Sequence, residues 1–219
     1  MNNIYGLILS FLYIGLVIFG AQLFTKAGKE ASRKFIHIML ANWWIIAMVF
    51  FDNVYVTAIL PAVFVIVNYL SYKYDIIKTM ERDDIPKKEQ TLGTVYYAIS
   101  LLVLVILTFG VWHNPVIGLI GVAVMGYGDG FAAVAGQGIK SRSVKIFGST
   151  RTIAGSTCMF ILSLIIISGG LAFMKVPYWF VKSFAIATIA TMLEAVSPKG
   201  TDNLIVPISV TLLVYLATL

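Results

Sequence analysis

The chain has 219 residues, of which 59% are hydrophobic and 12% are charged, and its mean hydropathy is +0.92. Soluble domains carry about 25% charged residues, so this composition excludes a soluble globular protein and predicts an integral membrane protein. The formal net charge of +6 does not indicate nucleic-acid binding, because the basic residues lie in loops between apolar segments, where they set membrane topology.

Eight apolar segments follow one another along the chain, and at about 20 residues per span they account for most of its length. They lie at 4–24, 36–51, 54–72, 92–112, 115–136, 152–173, 178–197 and 203–219. The charged segment 73–91 is predicted to be a solvated loop or a short surface helix. We therefore predict an all-α, polytopic membrane bundle of about eight transmembrane helices, in which residues 1–219 form a single domain.

Lysine and arginine are strongly biased towards alternate loops. Loops 25–35, 73–91 and 137–151 hold four, five and four of the 16 basic residues, the last loop adds Lys199, and the opposite side has only two. Basic loops stay in the cytoplasm. The bias therefore predicts a protein of the cell membrane with these four loops in the cytoplasm and both termini outside.

The run GYGDGFAAVAGQG at 126–138 places one carboxylate, Asp129, among five glycines near the end of an apolar segment. An ionisable group at membrane depth is costly and marks a candidate functional site. Glycines let backbone N–H groups approach a bound phosphate closely, so Gly128, Gly130 and Gly136 are candidates for nucleotide contacts. The alternative is a glycine-rich transmembrane helix with one structural acid.

The other polar candidates lie at a similar depth, near the predicted cytoplasmic ends of the spans. Glu194 interrupts an apolar run and Asp202 begins the last span. Mg²⁺ is held by a few carboxylates together with substrate phosphates, so Asp129, Glu194 and Asp202 are metal candidates. Helix N-termini favour anions. The candidate phosphate-site residues lie at the starts of the second, sixth and eighth spans and in the basic loop before the sixth. They are Arg33, Lys34, Lys145, Arg151, Thr152, Ser156 and Asn203, and His37 lies on the same helix face as Arg33.

Each of these residues also has a structural interpretation. Arg33 and Lys34 can serve only as positive-inside anchors, and His37 can be an interfacial histidine. Glu194 is harder to explain as structural, because it lies inside the apolar run IATIATMLEAV.

Four runs, taken in order, resemble the CTP-dependent lipid-alcohol kinases, a family that comprises phytol, farnesol and dolichol kinases and the CTP-using diacylglycerol kinases. The runs are RKFIH at 33–37, GDGFAAVAGQG at 128–138, RTIAGST at 151–157 and EAVSPKGTDNLIVP at 194–207, with a weaker run, TLGTVYY, at 91–97. The resemblance covers residues 33 to about 207. The family is distantly related to the phosphatidate cytidylyltransferases.

The resemblance implies an integral membrane kinase that transfers the terminal phosphoryl group of CTP, or of another nucleoside triphosphate, to a lipid alcohol with the help of Mg²⁺. The acceptor would be a prenol, a polyprenol or diacylglycerol, and the active site would lie at the cytoplasmic interface among the membrane lipids. The family's functional positions fall on Arg33, Lys34, His37, Asp129, Arg151, Thr152, Gly155, Ser156, Glu194, Asp202, Asn203 and Pro207. The chain departs from the family pattern at Arg151, where lysine is common, and in the stretch after Gly136, which lacks a second glycine pair.

Asp129, His37 and Asp202 are the catalytic candidates, and either Asp129 or His37 can take the proton of the hydroxyl. Two other functions stay open. A cytidylyltransferase acting on a lipid phosphate would release pyrophosphate from CTP, whereas a kinase releases CDP. A small transporter would carry its charges near the midplane and show an inverted repeat, and the sequence shows neither. The sequence does not choose the acceptor lipid or the oligomeric state.

Overall fold

The computed structural model describes residues 2–24, 29–74, 91–146, 149–198 and 200–219. Within these ranges the α-helices are α1 (Asn3–Phe24), α2 (Lys29–Ala41), α3 (Trp43–Phe50), α4 (Val54–Tyr74), α5 (Gly93–Val105), α6 (Pro115–Ala123), α7 (Gly130–Gly138), α8 (Ile153–Phe173), α9 (Trp179–Val196) and α10 (Asp202–Thr218). Two π-helical segments, π1 (Ile106–Val111) and π2 (Val124–Asp129), continue α5 and α6. Strands β1 (Ser143–Ile146) and β2 (Ser149–Thr152) form an antiparallel hairpin.

The predicted all-α polytopic bundle is confirmed. Seven helical segments in the described ranges are long and apolar enough to cross a membrane, and α10, with 17 residues, is apolar but shorter. At 1.5 Å per residue α10 spans about 25 Å, close to the roughly 30 Å of a bilayer core. The eighth predicted span therefore corresponds to the shortest of these helices.

The second span begins earlier than predicted and is broken in the middle. Its helix starts at Lys29 rather than at residue 36, and Asn42 separates α2 from α3. The break exposes backbone and side-chain polar groups that lipid cannot satisfy. Tyr13 Oη donates to the Met39 carbonyl at 2.6 Å, and the Tyr127 hydroxyl donates to Asn42 Oδ1. The early start places the RKFIH run inside the helix rather than in a loop.

The span formed by α6, π2 and α7 is the most enclosed of the seven, with 67% of its apolar window buried. Two hydrophobic cores include residues of this span. The first core also contains residues of α8, α9 and α10, and the second also contains residues of α1, α3, α4 and α5. π2 ends at Asp129, and such π-helical turns are frequent at functional sites. The helix with the central acid is thus the centre of the bundle.

The basic loop predicted at 137–151 includes most of the β-hairpin, which was not predicted from the sequence. Val144 pairs with Arg151, so Arg151 leaves the hairpin from β2 and not from a helix. Thr152 is the N-cap of α8, and its Oγ1 accepts a hydrogen bond from the Gly155 N–H at 3.1 Å. Most of the predicted polar segment 73–91 lies outside the described residues, and α4 extends to Tyr74.

The bundle has two polar ends. One end, which we call the cavity end because a cavity opens there, contains the starts of α2, α5, α8 and α10, the ends of α7 and α9, and the hairpin. The opposite end contains the start of α1, the end of α10, and the turns between α3 and α4, π1 and α6, and α8 and α9. There Asn3 Nδ2 donates to Asp52 Oδ1 at 2.7 Å, and Lys182 Nζ donates to the Ala217 carbonyl at 2.8 Å. The helices alternate in direction between these two ends, as the predicted spans require.

Candidate active site

A cavity of about 600 Å³ opens at the cavity end of the bundle. We call it the polar cavity, because thirteen of the residues predicted from the sequence line its walls. These are Arg33, Lys34, His37, Asp129, Gly136, Lys145, Arg151, Thr152, Gly155, Ser156, Glu194, Asp202 and Asn203. The tertiary structure thus brings residues from five separate parts of the chain into one space.

The first cluster of ionisable side chains in the polar cavity joins α2 to the end of π2. Lys34 Nζ lies 3.0 Å from Asp129 Oδ2, and His37 Nε2 lies 3.5 Å from the same oxygen. Residues three apart on a helix share a face, so Lys34 and His37 reach the carboxylate together. Asp129 is 8% exposed. Burying such a charge is costly unless it is paired, and Lys34 supplies the pairing.

The second charged group is centred on Arg151. Its Nη1 lies 2.6 Å from Glu194 Oε1, and its Nη2 lies 3.0 Å from Asp202 Oδ2 and 2.9 Å from the Glu194 carbonyl. The fork of a guanidinium suits two acceptors at once. Burial lowers the pKa of Arg151, but the carboxylates of Glu194 and Asp202 outweigh this effect and raise it above its usual value. The side chain therefore stays charged and holds β2, α9 and α10 together.

The three acidic side chains converge. One carboxylate oxygen from each of Asp129, Glu194 and Asp202 can be chosen so that all three lie within 4.8 Å of one another. Hard carboxylate oxygens at this spacing are the donor type that Mg²⁺ takes in proteins. The donor set therefore fits a divalent cation of this class.

Gly128, Gly130 and Pro207 are the predicted residues that do not line the polar cavity. A Cβ on Gly128 would lie 2.8 Å from Met159 Sδ, and one on Gly130 would clash with Ile38 Cγ1. The N–H of Gly130 is already bonded to carbonyls of its own helix. These two glycines allow close helix packing, which positions Asp129 against α2, and we leave them out of the nucleotide site.

Gly136 does line the polar cavity, beside Thr152 at the start of α8. A Cβ on Gly136 would lie 2.7 Å from Thr152 Oγ1. A side chain at this position would therefore disturb the N-cap of α8 and narrow the cavity.

Several residues of the polar cavity were missed from the sequence. Asn68 of α4 is the clearest case, and its signal was a lone amide in an apolar span. Tyr97, whose hydroxyl donates to the His37 carbonyl at 3.2 Å, lies in the weak run TLGTVYY. Gly93, from the same run, accepts a hydrogen bond from Asn203 Nδ2 at 3.1 Å, which ties α5 to α10.

Fold and site together define an all-α polytopic membrane protein with an acidic cluster and several basic side chains in a cavity at one end of the bundle. Over 215 residues the chain is 28% identical to a phytol kinase of Synechocystis sp., covering 93% of this chain and 87% of that protein. It is 28% identical over 210 residues to the chloroplastic phytol kinase 1 of Arabidopsis thaliana, covering 86% of this chain and 67% of the relative. It is 27% identical over 208 residues to a probable chloroplastic phytol kinase of Triticum aestivum, covering 86% of this chain and 67% of that protein.

These similarities confirm the resemblance to the CTP-dependent lipid-alcohol kinase family that the motifs indicated. The chain matches no family model and no solved structure.

Proposed function

We propose that the protein is a membrane kinase that transfers the terminal phosphoryl group of CTP to the hydroxyl of a prenol-type lipid alcohol such as phytol. The observation that carries the proposal is the polar cavity, in which three convergent carboxylates lie beside Lys34 and Arg151 in a membrane bundle. The similarity to phytol kinases supports the class of acceptor. Phosphoryl transfer depends mainly on positioning and charge stabilisation, which such a cavity supplies.

The nucleotide phosphates are assigned to the basic wall of the polar cavity. Arg33 and Lys34 face it from α2, and Lys145 reaches it from the exposed strand β1. Arg151 is largely engaged with carboxylates, but its Nε is buried and has no hydrogen-bond partner among the described residues. That donor is available to a phosphate oxygen. Thr152, Ser156 and Asn203 complete the wall with polar groups.

Asp129, Glu194 and Asp202 are the residues that would hold Mg²⁺, since their oxygens fit its preference for hard donors. When bound, the ion would neutralise charge that develops on the transferring phosphoryl group. Lys34 and Arg151 keep these carboxylates in place. Removing either cation would leave buried negative charge uncompensated.

His37 is assigned as the acceptor of the hydroxyl proton. Its Nε2 is buried and makes no hydrogen bond within the described part of the chain, although it lies 3.5 Å from Asp129 Oδ2. The alcohol oxygen forms a bond to the terminal phosphorus, the bond to the leaving CDP breaks, and the proton passes to His37. In a loose transition state the oxygen keeps its proton until late, so the base need not ionise the free alcohol.

A product assay tests the proposal. Purified protein in detergent is incubated with CTP or ATP labelled in the terminal phosphate and with a panel of phytol, farnesol, dolichol and diacylglycerol. We expect label in phytyl or farnesyl phosphate, release of CDP, and a preference for CTP. Pyrophosphate released with a lipid phosphate would indicate a cytidylyltransferase instead, and label only in diacylglycerol would contradict the prenol assignment.

A further inference from the structure

A second cavity, of about 30 Å³, lies deeper in the bundle between α1, α3, α4 and α5. Its wall is mostly apolar and includes Leu60, Ala98 and Leu101. We call it the apolar cavity. An apolar space of this size stays dry, and it is larger than the minimum of about 10–15 Å³ that a single water needs. It has room for a methyl-sized group.

The two cavities share a boundary. Leu40, Phe64, Asn68 and Tyr97 line both of them, so the two cavities adjoin at these four side chains. His37 and Asp129 lie on the polar side of the same boundary. A molecule with a hydroxyl at one end and an apolar body fits this change from polar to apolar walls.

Asn68 is the polar side chain of this boundary whose hydrogen bonding is incomplete. It is 7% exposed, and its Nδ2 donates to the Thr94 carbonyl at 3.0 Å. A carbonyl only accepts hydrogen bonds, so the amide must present its NH₂ to Thr94 and its Oδ1 elsewhere. Oδ1 is buried and has no partner among the described residues. A buried acceptor left unsatisfied costs free energy, which a ligand donor would recover.

We propose that this boundary is the acceptor site: the alcohol hydroxyl donates to Asn68 Oδ1, and the apolar cavity receives a methyl branch on the carbons next to it. The inference rests on the proposed kinase function and deepens it by making methyl-branched isoprenoid alcohols the preferred acceptors. A hydrogen bond to Asn68 leaves the oxygen lone pairs free to face the polar cavity. The oxygen is then oriented for attack, and as the new P–O bond forms the O–H proton leaves Asn68 Oδ1 and passes to His37.

The first test removes the acceptor atom. Asn68→Leu keeps the approximate volume of the side chain. The control is Thr57→Val, at a buried position on the same helix that lines neither cavity. The Thr57 hydroxyl donates to the Asn53 carbonyl, one turn earlier in the chain. Loss of one hydrogen bond of about 1 kcal/mol predicts a roughly five- to tenfold rise in the KM for phytol with Asn68→Leu. The KM for CTP should stay unchanged in both variants. An unchanged KM for phytol, or equal changes in both KM values, would overturn the inference.

The second test fills the apolar cavity. Ala98→Val adds volume inside it, whereas Ala58→Val adds the same volume on α4 outside both cavities. Wild type should use 3-methylhexadec-2-en-1-ol about tenfold better in kcat/KM than hexadec-2-en-1-ol, which lacks only the branch, the order expected for one methyl group in a fitted pocket. Ala98→Val should reduce this ratio to about one by the same estimate, and Ala58→Val should preserve it. A wild type without preference, or a ratio unaffected by Ala98→Val, would contradict the branch pocket.

Binding measured without turnover separates this inference from the kinase proposal. Tritiated phytol is bound to wild type and Asn68→Leu in detergent, in the absence of nucleotide. Weaker binding by the variant together with no phosphoryl transfer by wild type would overturn only the kinase proposal. Normal transfer with equal binding by both proteins would overturn only the acceptor site. If wild type neither binds nor phosphorylates phytol, both proposals fail.

Discussion

The opposite end and the cavity end of the bundle use their polar side chains in different ways. At the opposite end, Asp52 is exposed and accepts from Asn3, Lys182 donates to a carbonyl of α10, and His113 Nδ1 donates to the Phe109 carbonyl at 3.0 Å. Each of these groups completes a turn or a helix end near the surface. Such contacts are sufficient to explain why the residues are polar.

At the cavity end the acids Asp129, Glu194 and Asp202 are largely enclosed, and they pair with Lys34 and Arg151 from other elements. Asp129 and Glu194 are 8% and 4% exposed, and their partners Lys34 and Arg151 come from α2 and β2. Burying ion pairs contributes little to stability, because desolvation offsets their attraction. The comparison indicates that surface anchoring accounts for the polar residues of one end but not for those of the other.

The largest expected effect is a difference in turnover between variants of two acids, Asp129 at the cavity end and Asp52 at the opposite end. Asp129→Asn keeps the shape of the side chain and removes its charge, and turnover of phytol should fall by about 100-fold or more if this carboxylate stabilises the transferring group. Asp52→Asn at the opposite end should leave turnover within about twofold, since it changes only an exposed pairing. Initial rates at saturating substrate, with thermal melting as the folding control, provide the measurement. Near-normal turnover of Asp129→Asn would remove the acid from the active site.

A smaller effect is expected at Glu194, which is compared with Lys182 at the other end of the same helix. Glu194→Gln should lower the rate roughly tenfold at limiting Mg²⁺ and shift the Mg²⁺ dependence to higher concentration, because one carboxylate ligand is lost. Lys182→Gln should leave the Mg²⁺ curve unchanged. If Glu194→Gln is as active as wild type at every Mg²⁺ concentration, Glu194 is structural, and avoided desolvation would then make the variant equally or more stable.

The third prediction compares two arginines of the cavity end, one half-buried in the ion-pair cluster and one exposed. Arg151→Lys keeps the charge but loses the fork that reaches Glu194 and Asp202 together. We expect a melting temperature lower by a few degrees and a rate reduced about threefold to tenfold, in line with one or two lost charge-assisted hydrogen bonds. Arg142→Lys, on the exposed approach to the hairpin, should change neither quantity. Equal melting curves for all three proteins would mean that the fork does not hold the cluster together.

The last prediction concerns sidedness and should leave activity unchanged. In a Cys158→Ser background, cysteines replace Lys140 at the cavity end and Pro177 at the opposite end, both exposed. An impermeant thiol reagent added to intact cells should label only the position at 177, because the basic loops are expected to be cytoplasmic. Labelling of position 140 from outside would place the cavity end away from the cytoplasmic nucleotide pool.

The sequence by itself determined the membrane class, the approximate spans and most of the charged residues of the polar cavity. Hydropathy is a local sum over about 20 residues, so a span is visible before its neighbours are known. An isolated acid such as Asp129 or Glu194 stands out against that apolar background for the same reason. The RKFIH run was visible too, although its place inside a helix that starts at Lys29 was not.

Only the tertiary structure decided which residues meet. Arg151 bonds Glu194 and Asp202, which lie 43 and 51 positions away in the chain, and no local pattern encodes that pairing. The β-hairpin, the break at Asn42 and the π-helical turn before Asp129 likewise depend on packing against neighbours. Asn68 was not predicted as a site residue from the sequence, because only the structure shows that the Thr94 carbonyl of α5 orients its amide. Pairing across helices depends on how closely their backbones approach, which is a property of the assembled bundle rather than of any one segment.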